Sequence, residues 1–186
     1  AALAAFGSGT VARAGTQIVY RLLTLPAAKD AACVAVETYN DKPTAENRAK
    51  VLQIAMEALR FNPMLPLMGL RQSARRSELY AMCPHARVRV DPGEVFIPSP
   101  FAAMHDPNAF PRPSRFCTDH RQPEDYLHFG HGRHICVGKR VAEVLLEEIV
   151  ISLFRNRHIE ACPPNAKIRY DGPAVERYQV TFNARA

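Results

Sequence analysis

Tryptophan is absent, and aromatic residues make up only 8% of this 186-residue chain. Sparse rings, with no basic stripe interleaved among them, argue against a protein that stacks nucleic-acid bases. The five cysteines, Cys33, Cys83, Cys117, Cys136 and Cys162, are odd in number and form no C-x-x-C pair. That argues against a disulfide framework and a zinc ribbon, and fits a reducing compartment, the cytoplasm. Long apolar runs are missing too. Arg13, Arg21 and Lys29 interrupt the alanine-rich start, so nothing approaches the roughly 20 residues a bilayer span requires. Internal repeats and low-complexity tracts are lacking.

What is present suffices for an ordinary globular core: 47% of residues are hydrophobic and 23% charged, which excludes a disordered tail and bounds the chain at one or two domains. The formal charge of +6 gives some face an attraction for acidic partners. The chain begins without Met, as an excised or processed piece would. Of its 15 prolines, ten crowd the stretch from Pro63 to Pro123.

Along the chain, Leu3, Phe6, Ile18 and Leu22 predict a helix over residues 1–25, stopped at Pro26. Gly7, Gly9 and Gly15 load that helix by about 1 kcal/mol each against Ala, a cost expected where something large or another helix must approach the backbone. A second helix starts at Pro43 and Thr44, carries Val51, Ala55, Ala58 and Leu59 at helical spacing, and ends at Asn62 before Pro63. Alternation over residues 87–90, the Asp91-Pro92-Gly93 turn and residues 95–97 predict a hairpin. Residues 98–128 read as loop. A third helix is expected from Gly138 to about Arg155, with Val141, Val144, Leu145 and Ile149 as its apolar stripe opposite Lys139, Arg140, Glu143, Glu147 and Glu148. Residues 168–170 and 178–182, joined through Gly172 and Pro173, predict a C-terminal hairpin. The fold class is mainly α with minor β, in a single domain spanning residues 1–186.

The most informative stretch runs from Phe129 to Gly138 and delivers Cys136 through a glycine-rich loop to the start of a helix. Unpaired backbone N–H groups at a helix N-terminus favour an anionic thiolate, and flanking glycines let a flat group approach the main chain. Four readings follow. Zinc could be held by His128, His131, His134 and Cys136, although only one Cys contributes and Gly130 and Gly132 keep the histidines off one helical face. Cys136 could be a nucleophile with a histidine base, or a buried structural thiol. The fourth, haem iron ligated by the Cys136 thiolate with His134 bonding a propionate, accounts for the glycines and the histidine together.

Phe129, Gly132, His134, Cys136 and Gly138 match the five positions of the haem-binding signature Phe-x-x-Gly-x-(Arg or His)-x-Cys-x-Gly. The chain therefore resembles the cytochrome P-450 haem-thiolate monooxygenases, most of all their soluble bacterial members. Other marks come in the family's order. Glu57 and Arg60 fit the Glu-x-x-Arg of its K helix, and residues 110–116 resemble the meander that supplies the third member of a Glu-Arg-Arg network, here Arg115. The first helix resembles the long I helix entered partway, with Gly7 and Thr10 at the oxygen-binding kink. Gly9 stands where the family usually has the acid that relays protons.

The resemblance implies a haem b cofactor ligated through Cys136, with His134 and Arg71 as propionate partners. It implies a hydrophobic small-molecule substrate near Met64, Leu65, Leu67 and Met68, with Pro173, Ala174 and Val175 as a second contact. Arg121, Arg133, Lys139 and Arg140 would form a basic face for an acidic ferredoxin- or flavodoxin-like electron donor. Nucleic acid is not an expected partner. The N-terminal half of the family's fold is expected to be a missing partner, leaving this fragment inactive by itself. The implied activity is oxidation of the substrate with dioxygen and delivered electrons. Two alternatives remain: use of peroxide or a hydroperoxide, which the glycine at position 9 suits, and a non-catalytic haem-binding remnant.

Overall fold

The structure is a computed structural model and describes residues 2–65, 69–80, 87–119, 122–155, 157–171 and 174–184. In chain order the elements are α1 (Ala2–Thr24), α2 (Pro26–Asp41), α3 (Ala45–Phe61), β1 (Arg71–Gln72), β2 (Ser77–Tyr80), β3 (Arg87–Val90), β4 (Val95–Phe96), α4 (Pro100–Ala103), α5 (Lys139–Phe154), β5 (Arg157–Ala161), β6 (Arg169–Asp171), β7 (Ala174–Arg177) and β8 (Val180–Ala184). They fall into two compact units, one of Ala1–Met64 with Phe116–Ala186 and one of Leu65–Arg115. Mainly helical architecture with small antiparallel sheets is what the sequence predicts.

The larger unit is built on α1, α2, α3 and α5, which bury Ile18, Leu22, Val36, Val51, Met56, Leu146, Ile151 and Phe154 between them. Pro26 breaks the first helix as expected, but the chain turns at the extended Leu25 and starts a new helix with proline in its first turn. Residues 26–41, to which the sequence analysis assigns no element, form α2. Its buried positions are mostly alanine, Ala28, Ala32 and Ala35 with Val36, so the stripe that packs it carries little hydrophobic contrast. Helix α3 has the expected bounds. The Thr44 hydroxyl accepts the Asn47 N–H at 3.2 Å to cap its start, and Pro63 follows its end. Gly15 carries the close approach inferred from the glycines: a Cβ there would lie 2.8 Å from Ile149 Cδ1 on α5. Around Gly7 and Gly9 there is open space within 4 Å.

Helix α5 has the expected bounds, but its buried face is displaced from the expected stripe: Ile149 meets Gly15 as that stripe requires and Arg140 and Glu148 stay exposed. Val141, Val144 and Leu145 are exposed, whereas Glu143 and Glu147 sit inside with Leu146, Val150 and Ile151. The cause is electrostatic pairing across helices. Arg48 of α3 donates from Nε to Glu147 at 2.5 Å and from a terminal nitrogen to Glu148 at 2.7 Å; within α5 itself, Lys139 pairs with Glu143 at 3.6 Å. Burial pushes the Glu147 carboxyl above its ordinary range, while Arg48 pulls it back down. Arg48→Ala is expected to cost about 1–3 kcal/mol at neutral pH. A carboxyl whose folded pKa is raised lends stability that is present at low pH and is lost as pH rises through that pKa. The penalty should therefore shrink as the solution is made acidic and Glu147, its carboxyl raised above the ordinary range, takes up a proton. Urea denaturation of both proteins at neutral and acidic pH checks this.

Both expected hairpins are corrected in their pairing. Residues 87–90 and 95–96 are strands, and the turn between them exists with Gly93 at φ 88°, but they do not pair with each other. β3 pairs antiparallel with β2, Ser77 facing Val90, and β4 pairs with β1, Arg71 facing Phe96. The turn is satisfied instead by Ser73, whose carbonyl accepts the Gly93 N–H at 2.8 Å and whose N–H donates to Glu94 at 2.9 Å. At the C-terminus β6 pairs with β7, and β8 pairs with β5 with Ile159 facing Phe182, so residues 168–170 and 178–182 belong to different sheets. The stretch expected to be loop holds α4, capped by Ser99, and 3-10 turns at Pro123–Asp125 and Leu127–Phe129.

Candidate active site

Two residues of the turn before the cysteine loop anchor it to α3. Tyr126 is buried and its hydroxyl donates to Glu57 Oε2 at 2.9 Å. His128 lies within hydrogen-bond distance of the Met56 carbonyl, Nε2 to O 2.9 Å, and stacks on the Tyr126 ring at 5.6 Å with 10° between planes. Because a carbonyl only accepts, Nε2 carries the proton. From there the main chain closes on itself: Gly130 donates to the Leu127 carbonyl at 3.1 Å, Ile135 to Gly132 at 3.1 Å, and Cys136 to Phe129 at 2.7 Å. Gly130 at φ 77° and Gly132 at φ 64° occupy the left-handed region these bends require.

The loop ends with Cys136 exposed, two residues from the Gly138 N-cap of α5. A Cβ at Gly138 would lie 3.8 Å from Cys136 Sγ, so glycine leaves the thiol flank open. His134, Arg133 and His131 are exposed around it. An exposed thiol overturns the buried structural cysteine. The four-ligand zinc reading is not met: His128 is engaged with α3, and among the described residues no group of three or more His, Cys, Asp or Glu side chains is arranged to hold a metal ion.

Beneath the loop lies a fully buried ion pair. Arg60 donates to Glu57 through Nε at 2.9 Å and a terminal nitrogen at 2.8 Å, both side chains being 0% exposed. The Cys117 backbone N–H adds a bond to Glu57 Oε1 at 3.1 Å. The Arg60 guanidinium lies 4.5 Å from the Phe61 ring centroid, and Phe61 stacks on Phe116. Burial and the Glu57 charge together push the Tyr126 phenol well above its usual pKa, so it remains a donor. Spacing pairs Glu57 with Arg60, but nothing in it marks a tyrosine in a loop as a carboxylate partner, so Tyr126 and the Cys117 N–H come to light only in the fold.

The remaining expected residues are distributed as follows. Thr10 Oγ1 donates to the Gly7 carbonyl at 2.9 Å, the bond to the preceding turn that mid-helix threonines commonly make. Met64 is half-buried just beyond α3, and Leu65 opens the second unit 54% exposed. Leu67, Met68, Arg121 and Pro173 lie outside the described residues, as does the side chain of Val175 in β7. Arg71 and Arg115 belong to the second unit. The Arg71 guanidinium is 3.2 Å from the Gly69 and Leu70 carbonyls, and the Arg115 N–H closes a turn onto Arg112. Of the expected basic face, Lys139 is withdrawn, 15% exposed and paired with Glu143, whereas Arg140, which also reaches Glu143 at 3.4 Å, and Arg133 are exposed.

A helical scaffold that presents one exposed cysteine through a glycine-bent loop at a helix N-terminus has the form of a thiolate-ligating haem protein. The sequence model of the family Cytochrome P450 matches residues 7–177, and the chain belongs to that family, whose cofactor is haem b. Similar proteins come from several kingdoms. A probable cytochrome P450 6a13 from Drosophila melanogaster is 29% identical over 56% of this chain and 22% of its own length. A biflaviolin synthase from Streptomyces coelicolor is 38% identical over 35% of this chain and 16% of its own. A bifunctional dioxygenase–epoxy alcohol synthase from Fusarium oxysporum is 30% identical over 63% of this chain and 9% of its own. The solved structure of CalO2 shares the fold with a TM-score of 0.71 at 23% identity, over 95% of this chain and 40% of that one. The chain thus spans less than a quarter of the curated relatives it matches. Among the described residues no helix is long and apolar enough to cross a membrane.

Proposed function

We propose that this chain forms the cysteine-loop part of a haem-thiolate oxygenase that oxidises a hydrophobic small molecule with dioxygen and electrons from an acidic redox partner. The observation that carries it is the exposed Cys136 thiol at the N-terminus of α5, on a loop closed by the Cys136 N–H bond to Phe129. The residues fit the cofactor: Gly132 and Gly138 clear a flat approach, the thiol is accessible, and His134 and Arg133 stand beside it as donors for anionic propionates. Bound through a cysteine thiolate, haem supplies O–O cleavage and oxygen transfer.

The chain's own part is to hold and to deliver. Cys136 would hold haem through its thiolate and His134 and Arg71 would bond its propionates, while Glu57 with Arg60 and Tyr126 forms the rigid floor under the loop. Thr10 turns its hydroxyl from the Gly7 carbonyl to hold a water in the oxygen site. Met64, Leu65, Leu67, Met68 and Val175 serve the apolar substrate pocket. Arg133 and Arg140, both exposed, remain to meet an acidic donor. The test is the carbon monoxide difference spectrum of the reduced, haem-loaded protein. A strongly red-shifted Soret band is the expected result, and failure to take up haem with the rest of the fold supplied overturns the reading.

A second reading, use of peroxide or a hydroperoxide, is favoured by one specific observation. Gly9 brings no acid to the proton-relay position, although the space around it would accommodate one. Gly9→Asp is expected to change stability by less than about 1 kcal/mol. If dioxygen is the oxidant, it should raise reductase-supported turnover about 100-fold, the lower end for a positioned acid. If peroxide is, turnover with peroxide should exceed the reductase-supported rate in both proteins and stay unchanged by the substitution.

A further inference from the structure

Between α3 and the cysteine loop, one side chain does something its surroundings do not require. His128 is a polar ring turned into the core beneath the loop, where an apolar residue would fill the same space without desolvating two nitrogens. Its Nε2–H bond goes to the carbonyl of Met56, a residue inside α3 that is itself completely buried. Its Nδ1 is buried without a partner among the described residues. Burial lowers the imidazole pKa to about 4; the Met56 carbonyl opposes that shift and the Arg60 charge adds to it, so the ring is neutral. Stacking on Tyr126 fixes the ring plane, and Tyr126 is itself tied to Glu57.

The neighbour of His128 is Phe129, and the Phe129 carbonyl accepts the Cys136 N–H at 2.7 Å. A continuous line therefore runs from a rigid buried helix, through one directional side-chain bond, to the amide of the cysteine. We propose that His128 is a positioning residue: by donating to the Met56 carbonyl it fixes the Phe129 carbonyl, and through it the orientation of Cys136. Hydrophobic packing alone would set the depth of residue 128 but not its rotation, because apolar contact is non-directional, whereas a hydrogen bond loses strength steeply off its axis. The role rests on Cys136 being the haem ligand, but the geometry it controls exists before any cofactor binds.

Two substitutions separate direction from volume. His128→Phe keeps an aromatic ring to stack on Tyr126 and removes the N–H. His128→Gln keeps an N–H near the position of Nε2 and removes the ring. Amide hydrogen exchange on the full chain is read at Cys136, with the amides of α3 as the internal measure of folding. His128→Phe is expected to lower protection of the Cys136 amide about tenfold while α3 keeps its own, and His128→Gln to retain it within about threefold. Protection at Cys136 that is unchanged in the Phe variant, or as low in the Gln variant as in the Phe variant, overturns the proposal. In haem-loaded protein, the Phe variant alone should lose part of its red-shifted reduced carbon monoxide band to a thiol-type band. If the unsubstituted chain takes up no haem even with the rest of the fold supplied, the functional reading fails, while the exchange result still decides the role of His128.

Discussion

Glu57→Ala is expected to remove about 3–5 kcal/mol of folding stability, because it strands a charge in the core. Arg60 is 0% exposed, and both of its bonds to Glu57 are under 3 Å. Without the carboxylate its guanidinium has lost its counterion in a medium that solvates it poorly, and the Tyr126 hydroxyl and Cys117 N–H lose an acceptor with it. Domains are stable by about 5–15 kcal/mol in total, so the loss is a large fraction, and for a chain of this length it corresponds to about 6–20 °C in Tm. Thermal unfolding followed by circular dichroism checks it. Replacing both partners together, Glu57→Leu with Arg60→Met, should recover part of the loss, since no isolated charge is then left buried. Tyr126→Phe should cost about 1.5–3 kcal/mol, the scale of one bond to a charged group. A Glu57→Ala variant that unfolds like the parent would show that the pair is not a structural keystone.

The largest functional effect is expected from Cys136→Ser. The thiol is exposed and the backbone N–H bond to Phe129 does not depend on it, so stability should move by no more than about 0.5 kcal/mol. The loop should close as before and present a hydroxyl in place of the thiolate. In reduced, haem-loaded protein the strongly red-shifted carbon monoxide band should vanish, and turnover should fall to that of haem without a thiolate ligand. Absorption spectra and haem titration of both proteins provide the check. A red-shifted band that survives in the variant would assign ligation to a different cysteine. The separation between the two substitutions is itself informative: one breaks the floor and spares the ligand, the other removes the ligand and spares the floor.

The elements most legible in the sequence are those whose signals act within a few residues. Thr44 and Pro63 bound α3 because a hydroxyl caps its own first turn and a proline ends the next. Gly130 and Gly132 announce the bends of the cysteine loop because only glycine enters the left-handed region without cost. Position along a motif likewise placed Cys136 at the start of α5, and placed Glu57 and Arg60 on one helical face three residues apart.

The expectations that failed each needed a remote partner, although the close helix contact at Gly15 is borne out. The apolar stripe of α5 was read from hydrophobicity, but Arg48, 99 residues away from Glu147 in sequence, draws the acidic face inward. Residues 87–90 and 95–96 are strands, yet segments earlier in the chain take their backbone groups, as β5 takes those of β8. Tyr126 and His128 look like loop residues until α3 is packed against them. The chain's own code therefore settles where helices begin and end, where it bends, and which sulfur stands at a helix N-terminus, since these depend on local dihedrals and adjacent hydrogen bonds. Which helix face is buried, which strands pair, and what holds the cysteine loop on its floor are settled only on folding. There long-range charge pairing and the need to satisfy buried polar groups outweigh local preference.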